Sequence, residues 1–261
     1  MLTLLKDIYQ RRELLFVLID RNLKIRYKNS VLGFFWSLLT PIFLILIYAT
    51  FAGILKFGGS TPDYLQFLIV GIIVWQFLSM CLNDSLSAIM GNANLIKKTA
   101  FPRFILPVAT VLANLINFLL TFVILVAYLL IVGMPFSHLG WLPLILMTQC
   151  ALCLGMALII STVNVFFRDA EHILQVLTLA WFFLTPIFYP IDRQMEILHV
   201  HYWLAFLNPM TGIICGYRLI LMSVPDPGLS FMAISFVAAW LTLLIGALVF
   251  QKFQIRFADE L

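Results

Sequence analysis

Cys150 and Cys153 stand in a C-x-x-C spacing, which serves both thiol–disulfide couples and zinc sites. Either use needs company: a cation or histidine to hold the thiolate, or a second pair of ligands. The run around these cysteines is apolar, and the histidines (His138, His172, His199, His201) are scattered along the chain. With Cys81 and Cys215 they read as packing thiols, and no metal site is expected. The sequence gathers no nucleophile with a base and no pair of carboxylates. It holds no G-x-x-x-x-G-K-[ST] phosphate loop. What remains is charge placed where charge is scarce. Residues 164–172 read NVFFRDAEH and put Arg168, Asp169 and Glu171 together in a chain that is only 11% charged.

The reason for that knot depends on the solvent the chain is built for. Hydrophobic residues are 63% of its 261 positions, and the mean hydropathy is +1.05. Soluble domains carry about 25% charged and about 45–50% apolar residues. Uncharged windows cover 29–55, 65–83, 104–137, 139–167, 173–191 and 227–251. A spanning helix needs about 20 residues at about 1.5 Å each, and these runs do not alternate as barrel strands do. The expected fold class is therefore an all-α membrane protein. The first 28 residues hold ten charged groups, so no cleavable signal peptide is expected.

Lys and Arg favour cytoplasmic loops. Six spans with both termini in the cytoplasm leave only Lys56, Arg193 and Arg218 on the outer side, out of sixteen cations. NVFFRDAEH then becomes a cytoplasmic turn between spans four and five. Residues 204–222 are apolar enough to suggest a seventh span, but Pro209, Gly212, Gly216 and Arg218 interrupt them. Two outer re-entrant half-helices before the last span fit better, since broken backbone at membrane depth is tolerated inside protein. The chain divides into an N-terminal interfacial helix (1–30), a six-span bundle (31–252) and a cytoplasmic tail (253–261), all one domain.

Three segments carry two readings each. In the N-terminal arm Leu5, Ile8, Leu15, Phe16, Ile19 and Leu23 share one helical face, with Lys6, Glu13, Arg21, Lys24 and Lys28 opposite and Arg12 and Arg26 off the pattern. It is either a surface anchor or an element that meets anionic lipid phosphates at a pore mouth, through Arg21, Lys24, Arg26 and Lys28. Residues 91–107, GNANLIKKTAFPRFILP, are either a solvated basic connector or a short helix that docks on a soluble partner. Trp75, Phe77, Trp181, Phe182, Phe183, Phe188 and Tyr189 are either interface belts and packing, or a wall on which sugar rings stack. Gln76, Asn83, Asp84, Asn114 and Asn117 are expected to face other helices or water. Apart from Asp84 near a span end, no mid-span acid or base offers an ion-coupled pump its usual relay.

LGFFWSLLTP (32–41), NVFFRD (164–169), FFLTPIFYP (182–190) and NPM (208–210) appear in series. In that order and spacing the chain resembles the type-2 ABC exporter permeases, and within them the O-antigen polysaccharide export permeases. The resemblance implies a homodimer of six-span subunits with two copies of a separate ATP-binding subunit. That partner would bind ATP and Mg, leaving no cofactor in this chain. The implied cargo is a lipid-linked (undecaprenyl-diphosphate) polysaccharide crossing the inner membrane. It further implies that Asn94, Leu95, Lys97, Lys98, Phe101, Pro102 and Arg103 lie in the segment coupled to the ATPase. Arg168, Asp169 and Glu171 would lie beside that ATPase, and the aromatic rings would line a channel.

Two other functions remain to be weighed. A membrane-embedded glycosyl- or phosphotransferase needs a loop with clustered acids, and no loop here offers one. A small-substrate type-2 permease shares the composition, as do permeases for teichoic acid or capsule. No nucleic-acid partner is expected.

Overall fold

A computed structural model describes residues 10–27, 35–55, 63–99, 101–167, 169–191, 204–223 and 229–261. The regular structure among these residues is helical, with no strand, as the composition predicts. In chain order the helices are α1 (Arg12–Tyr27), α2 (Phe35–Leu55), α3 (Tyr64–Met90), α4 (Ala93–Lys98), α5 (Ile105–Val132) and α6 (Leu142–Phe166), followed by α7 (Ala170–Leu184), α8 (Leu204–Leu207), α9 (Pro209–Met222), α10 (Leu229–Phe253) and α11 (Phe257–Glu260). Local chemistry sets several ends. Gly133, at φ +80°, closes α5, and the amide of Met134 returns to the Leu129 carbonyl at 3.0 Å. Proline stands in the first turn of α6 and of α9, where its missing N–H leaves no bond unmade.

Among the described residues, four helices are long and apolar enough to cross a bilayer: Tyr64–Lys98, Ile105–Val132, Leu139–Phe166 and Phe231–Arg256. The uncharged 21-residue α2 and the 15-residue α7 occupy the places expected for spans one and five. α3 is the hub and packs on α2, α5, α6, α7 and α9. α6 and α10 make the most extensive helix pair. Lipid supplies little hydrophobic drive between helices, so close backbone approach and interhelical hydrogen bonds must hold such a bundle. Both are present. Gly155 and Gly246 bring α6 and α10 into backbone contact. At the α3–α6–α9 junction Gln149 Nε2 donates to the Val74 carbonyl at 2.8 Å, and the Tyr217 hydroxyl donates to Gln149 Oε1 at 2.9 Å.

Two expectations are corrected. The window 173–191 is not one helix. α7 stops at Leu184 because Pro186 forces Thr185 into an extended conformation (φ −93°, ψ 137°), and Thr185, Pro186 and Ile187 are then buried as irregular chain. Nor do Gly212 and Gly216 interrupt residues 209–222. α9 is continuous and almost wholly buried, and these glycines admit the Phe231 carbonyl and the Ile145 side chain instead. Of the second half-helix only the four residues of α8 are described. Cys81 and Cys153 are fully buried, and no disulfide or metal-ligand cluster occurs among the described residues.

Candidate functional site

Two of the sequence motifs fold into one hydrogen-bonded unit. Asn208 caps α9, its side chain accepting from the Met210 amide at 3.0 Å. The same Oδ1 accepts from the Trp181 indole at 2.8 Å, while Nδ2 donates to Thr185 Oγ1 at 2.9 Å. Thr185 in turn donates to the Trp181 carbonyl at 2.7 Å. The end of α7 and the start of α9 are thereby fixed to each other. Trp181→Phe keeps an aromatic ring but removes the donor, and is expected to lower stability by about 1 kcal/mol. Asn208→Ala also removes the cap and is expected to cost about 2 kcal/mol. Chemical denaturation of the single and double variants should reveal non-additive losses.

Arg218 holds the irregular segment between these motifs. It is 2% exposed and makes no ion pair among the described residues; backbone carbonyls surround it. Nε and Nη2 donate to Phe67 O at 3.2 and 3.0 Å, Nη1 donates to Pro186 O at 2.6 Å, and Nη2 donates to Ile187 O at 2.8 Å. The guanidinium also lies 3.3 Å from the centroid of the Phe67 ring. Gly71 leaves the space, since a Cβ there would stand 2.6 Å from Nη2. Sequence reasoning treated Arg218 only as an obstacle to a span. A single arginine inside an otherwise uncharged stretch was the available signal.

The aromatic residues separate into two groups. Trp75 meets Trp181 edge-on at 5.7 Å and Phe182 at 5.5 Å, and Phe182 continues to Phe183 and Phe188 at 5.4 and 5.2 Å. Phe183 is exposed, whereas Trp181, Phe182 and Tyr189 are half-buried, and the Tyr189 hydroxyl donates to the Phe183 carbonyl at 2.8 Å. Phe77 is 1% exposed and stacks on Phe118 at 4.8 Å, deep in the bundle. It presents no face to a passing ligand, and Trp75 presents little.

A second assembly forms where α4, the end of α6 and the C-terminal tail meet. Ile96 anchors α4 in the core, Leu95 is half-buried, and Asn94, Lys97 and Lys98 are exposed. Phe101, Pro102 and Arg103 are half-buried, and the Arg103 guanidinium donates to the Gln254 carbonyl at the end of α10. Arg103 is thus turned toward its own chain. Phe257, fully buried, meets Phe250 at 5.3 Å and Phe166 at 6.1 Å, and α11 touches both α4 and α6. Asp169 and Glu171 are exposed at the start of α7, where negative charge suits the helix dipole. The tail therefore ties the basic loop to the end of α6, a link that no spacing in the sequence announces.

α1 lies along α5 and buries Leu15, Leu18 and Ile19, while Phe16, Val17 and Ile25 stay exposed. Of the expected stripe, Phe16 thus faces outward, and Leu5 and Ile8 lie outside the described residues. Lys24 pairs with Asp20 at 2.6 Å, an exposed i,i+4 contact of small energetic weight. Arg21 is half-buried. Lys28, Arg168 and the side chain of Arg26 lie outside the described residues.

Residues 13–222 match the family model described as ABC-2 type transporter. The chain is 33% identical over 252 residues to an O-antigen export system permease protein RfbA of Klebsiella pneumoniae, covering 95% of each chain. It is 31% identical to the RfbA permease of Myxococcus xanthus over the whole of both. It is 25% identical over 202 residues to the polysialic acid transport protein KpsM of Escherichia coli, covering 74% of this chain and 75% of that one. A match of this extent, across motifs that the fold brings into contact, means that the chain belongs to the ABC-2 type transporter family, as a permease similar to those of O-antigen export.

Proposed function

We propose that this chain is the membrane subunit of an ATP-driven exporter. In this reading it carries an undecaprenyl-diphosphate-linked O-antigen polysaccharide out across the inner membrane. It works as a homodimer with two copies of a separate ATP-binding subunit, which holds ATP and Mg. The observation that carries this reading is the end-to-end similarity to O-antigen export permeases. KpsM similarity over three quarters of the chain supports capsular polysaccharide as the second reading.

Six spans, both termini cytoplasmic and a re-entrant α8–α9 region complete the scheme. The basic α4, exposed at Asn94, Lys97 and Lys98 yet anchored at Ile96, is shaped to receive force from a soluble partner. Asp169 and Glu171, with Arg168, lie at the adjoining turn for the same partner. Closure of the ATP-binding subunits presses on α4, and the Phe257 clamp passes the displacement to α6 and α10 together. α7 buries none of its residues within this chain, which suits a face turned toward a second copy and a channel. Separation of the α2 and α7 faces opens the path. Phe183, with the half-buried Trp181, Phe182 and Tyr189, offers rings on which sugars stack. Arg21, Lys24, Arg26 and Lys28 meet lipid phosphates on the cytoplasmic side.

The test reverses charge on α4. Lys97→Glu with Lys98→Glu is expected to lower polysaccharide export by about tenfold or more, a coupling loss of about 1–3 kcal/mol. ATP hydrolysis by the partner should remain measurable. Export at the level of the unaltered protein would remove α4 from the coupling path.

A further inference from the structure

A cavity of about 440 Å³ opens between α1, the last turns of α3 and the first half of α5. Its polar lining comprises Arg21, Asn22, Asp84, Ser87, Asn92, Thr110 and Asn117, and Leu23 and Ile25 form an apolar edge. Among the buried polar atoms of its lining, Arg21 Nε, a donor, and Asn92 Oδ1, an acceptor, have no hydrogen-bond partner. Asn92 is 9% exposed and uses its other polar atom, Nδ2, on the Ala88 carbonyl at 2.8 Å. A buried polar group left unsatisfied destabilises the fold, so a site whose lining includes such a donor and such an acceptor favours a ligand supplying both complements.

Depth and charge narrow the ligand. α3 has 27 residues, about 40 Å at about 1.5 Å per residue, against a hydrocarbon core of about 30 Å. Asp84 precedes the helix end at Met90 by about 9 Å on the same rise, which sets the cavity near the headgroup layer. Ile25, at the cavity edge, is 59% exposed, and Phe16 and Val17 of the same helix are also exposed, so hydrocarbon adjoins the polar pocket. The occupant is therefore amphiphilic. The lining carries one guanidinium and one carboxylate; the latter also accepts from Asn114 Nδ2 at 2.9 Å. A ligand with several negative charges would meet the Asp84 carboxylate, whereas a zwitterion meets a site of matching neutrality.

We infer that the cavity between α1, α3 and α5 binds one phospholipid through a phosphoethanolamine headgroup, its phosphate on Arg21 and its ammonium on Asn92 Oδ1 and the Asp84 side. This deepens the assignment of Arg21 to lipid phosphates, on which it rests, and does not depend on which polymer is carried. It makes a sharp distinction among lipids. Choline has no N–H to give Asn92, and glycerol headgroups bring no cation to Asp84.

Native mass spectrometry of the full chain in detergent tests it, after delipidation and addition of equal amounts of phosphatidylethanolamine, phosphatidylcholine and phosphatidylglycerol with identical acyl chains. One phosphatidylethanolamine should be retained per chain, about tenfold above the other two. Asn92→Leu should abolish that preference, and Arg21→Gln, which removes the phosphate contact, should lower retention of phosphatidylethanolamine about tenfold. Arg21 is only half-buried, so its variant serves even where the Asn92 variant fails to fold. Equal retention of the three lipids, or phosphatidylethanolamine retention unchanged in Arg21→Gln, overturns the assignment. Competitive displacement by undecaprenyl diphosphate also overturns it, since the cavity would then take the isoprenoid headgroup.

Discussion

Arg218→Met is expected to cost this protein the folded irregular segment after α7, and with it most of the material recovered as a monodisperse species. The side chain satisfies the buried carbonyls of Pro186 and Ile187 and adds a bond to the part-buried Phe67 carbonyl of α3. Methionine fills much of the volume but returns none of these bonds. Each stranded group costs about 1–3 kcal/mol, so the sum reaches several kcal/mol against a total stability of about 5–15. The loss of the contact with Phe67 adds to it. Lysine is an incomplete substitute, because one ammonium cannot reproduce the planar fork that reaches carbonyls on two segments. Gly71→Val should give the same defect from the other side by filling the space of Nη2. Size-exclusion profiles and thermal unfolding of the three variants would measure this. An Arg218→Met variant as stable as the parent would show that Arg218 does not hold the irregular chain after α7.

The second large effect is expected at Gly155. An added Cβ there would lie 2.6 Å from the Leu243 amide nitrogen and the Thr242 carbonyl carbon, and Gly246 approaches the Gly155 carbonyl from the facing helix. All these obstacles are backbone, which cannot rotate away as a side chain can. Gly155→Val must therefore push α10 from α6 along the most extensive helix pair in the bundle. Membrane helix pairs are held largely by dispersion at close range, which falls off steeply with separation. Loss of about 3 kcal/mol or more is expected, on the scale of overpacking at its worst. Gly155→Ala should be milder but still destabilising. Proteolytic release of the C-terminal helix, followed with temperature, would report the separation. A Gly155→Val protein with unaltered protease resistance would show that the two helices can move apart without loss.

Much of this architecture was legible because lipid restricts the choices. Uncharged windows become helices, and four of them appear at nearly the expected places. The motif series pointed to the right family, and two of its members meet in the fold, where Asn208 bonds Thr185 and the adjacent Trp181 and joins α7 to α9. What stayed hidden depends on side-chain direction across long sequence separations. Pro186 sits in an uncharged run that hydropathy reads as continuous, so the end of α7 at Leu184 was invisible. Gly212 and Gly216 look like breakers in a one-dimensional reading, yet they serve as contact points for α10 and α6. Arg103 counts as one more basic residue of a loop until Gln254 is seen beside it, 151 positions away. Phe77 and Trp181 were equivalent aromatics by composition. The fold buries the first against Phe118 and gives the second a hydrogen-bonding role at a junction.

The most direct measurement places the chain and its ATP-binding partner together in sealed proteoliposomes and follows undecaprenyl-diphosphate-linked polysaccharide across the bilayer. Movement that requires both proteins and ATP, and that the Lys97→Glu, Lys98→Glu pair suppresses while hydrolysis continues, is the predicted result. Translocation by this chain without ATP, or hydrolysis by the complex that never moves a lipid-linked glycan, would contradict the account.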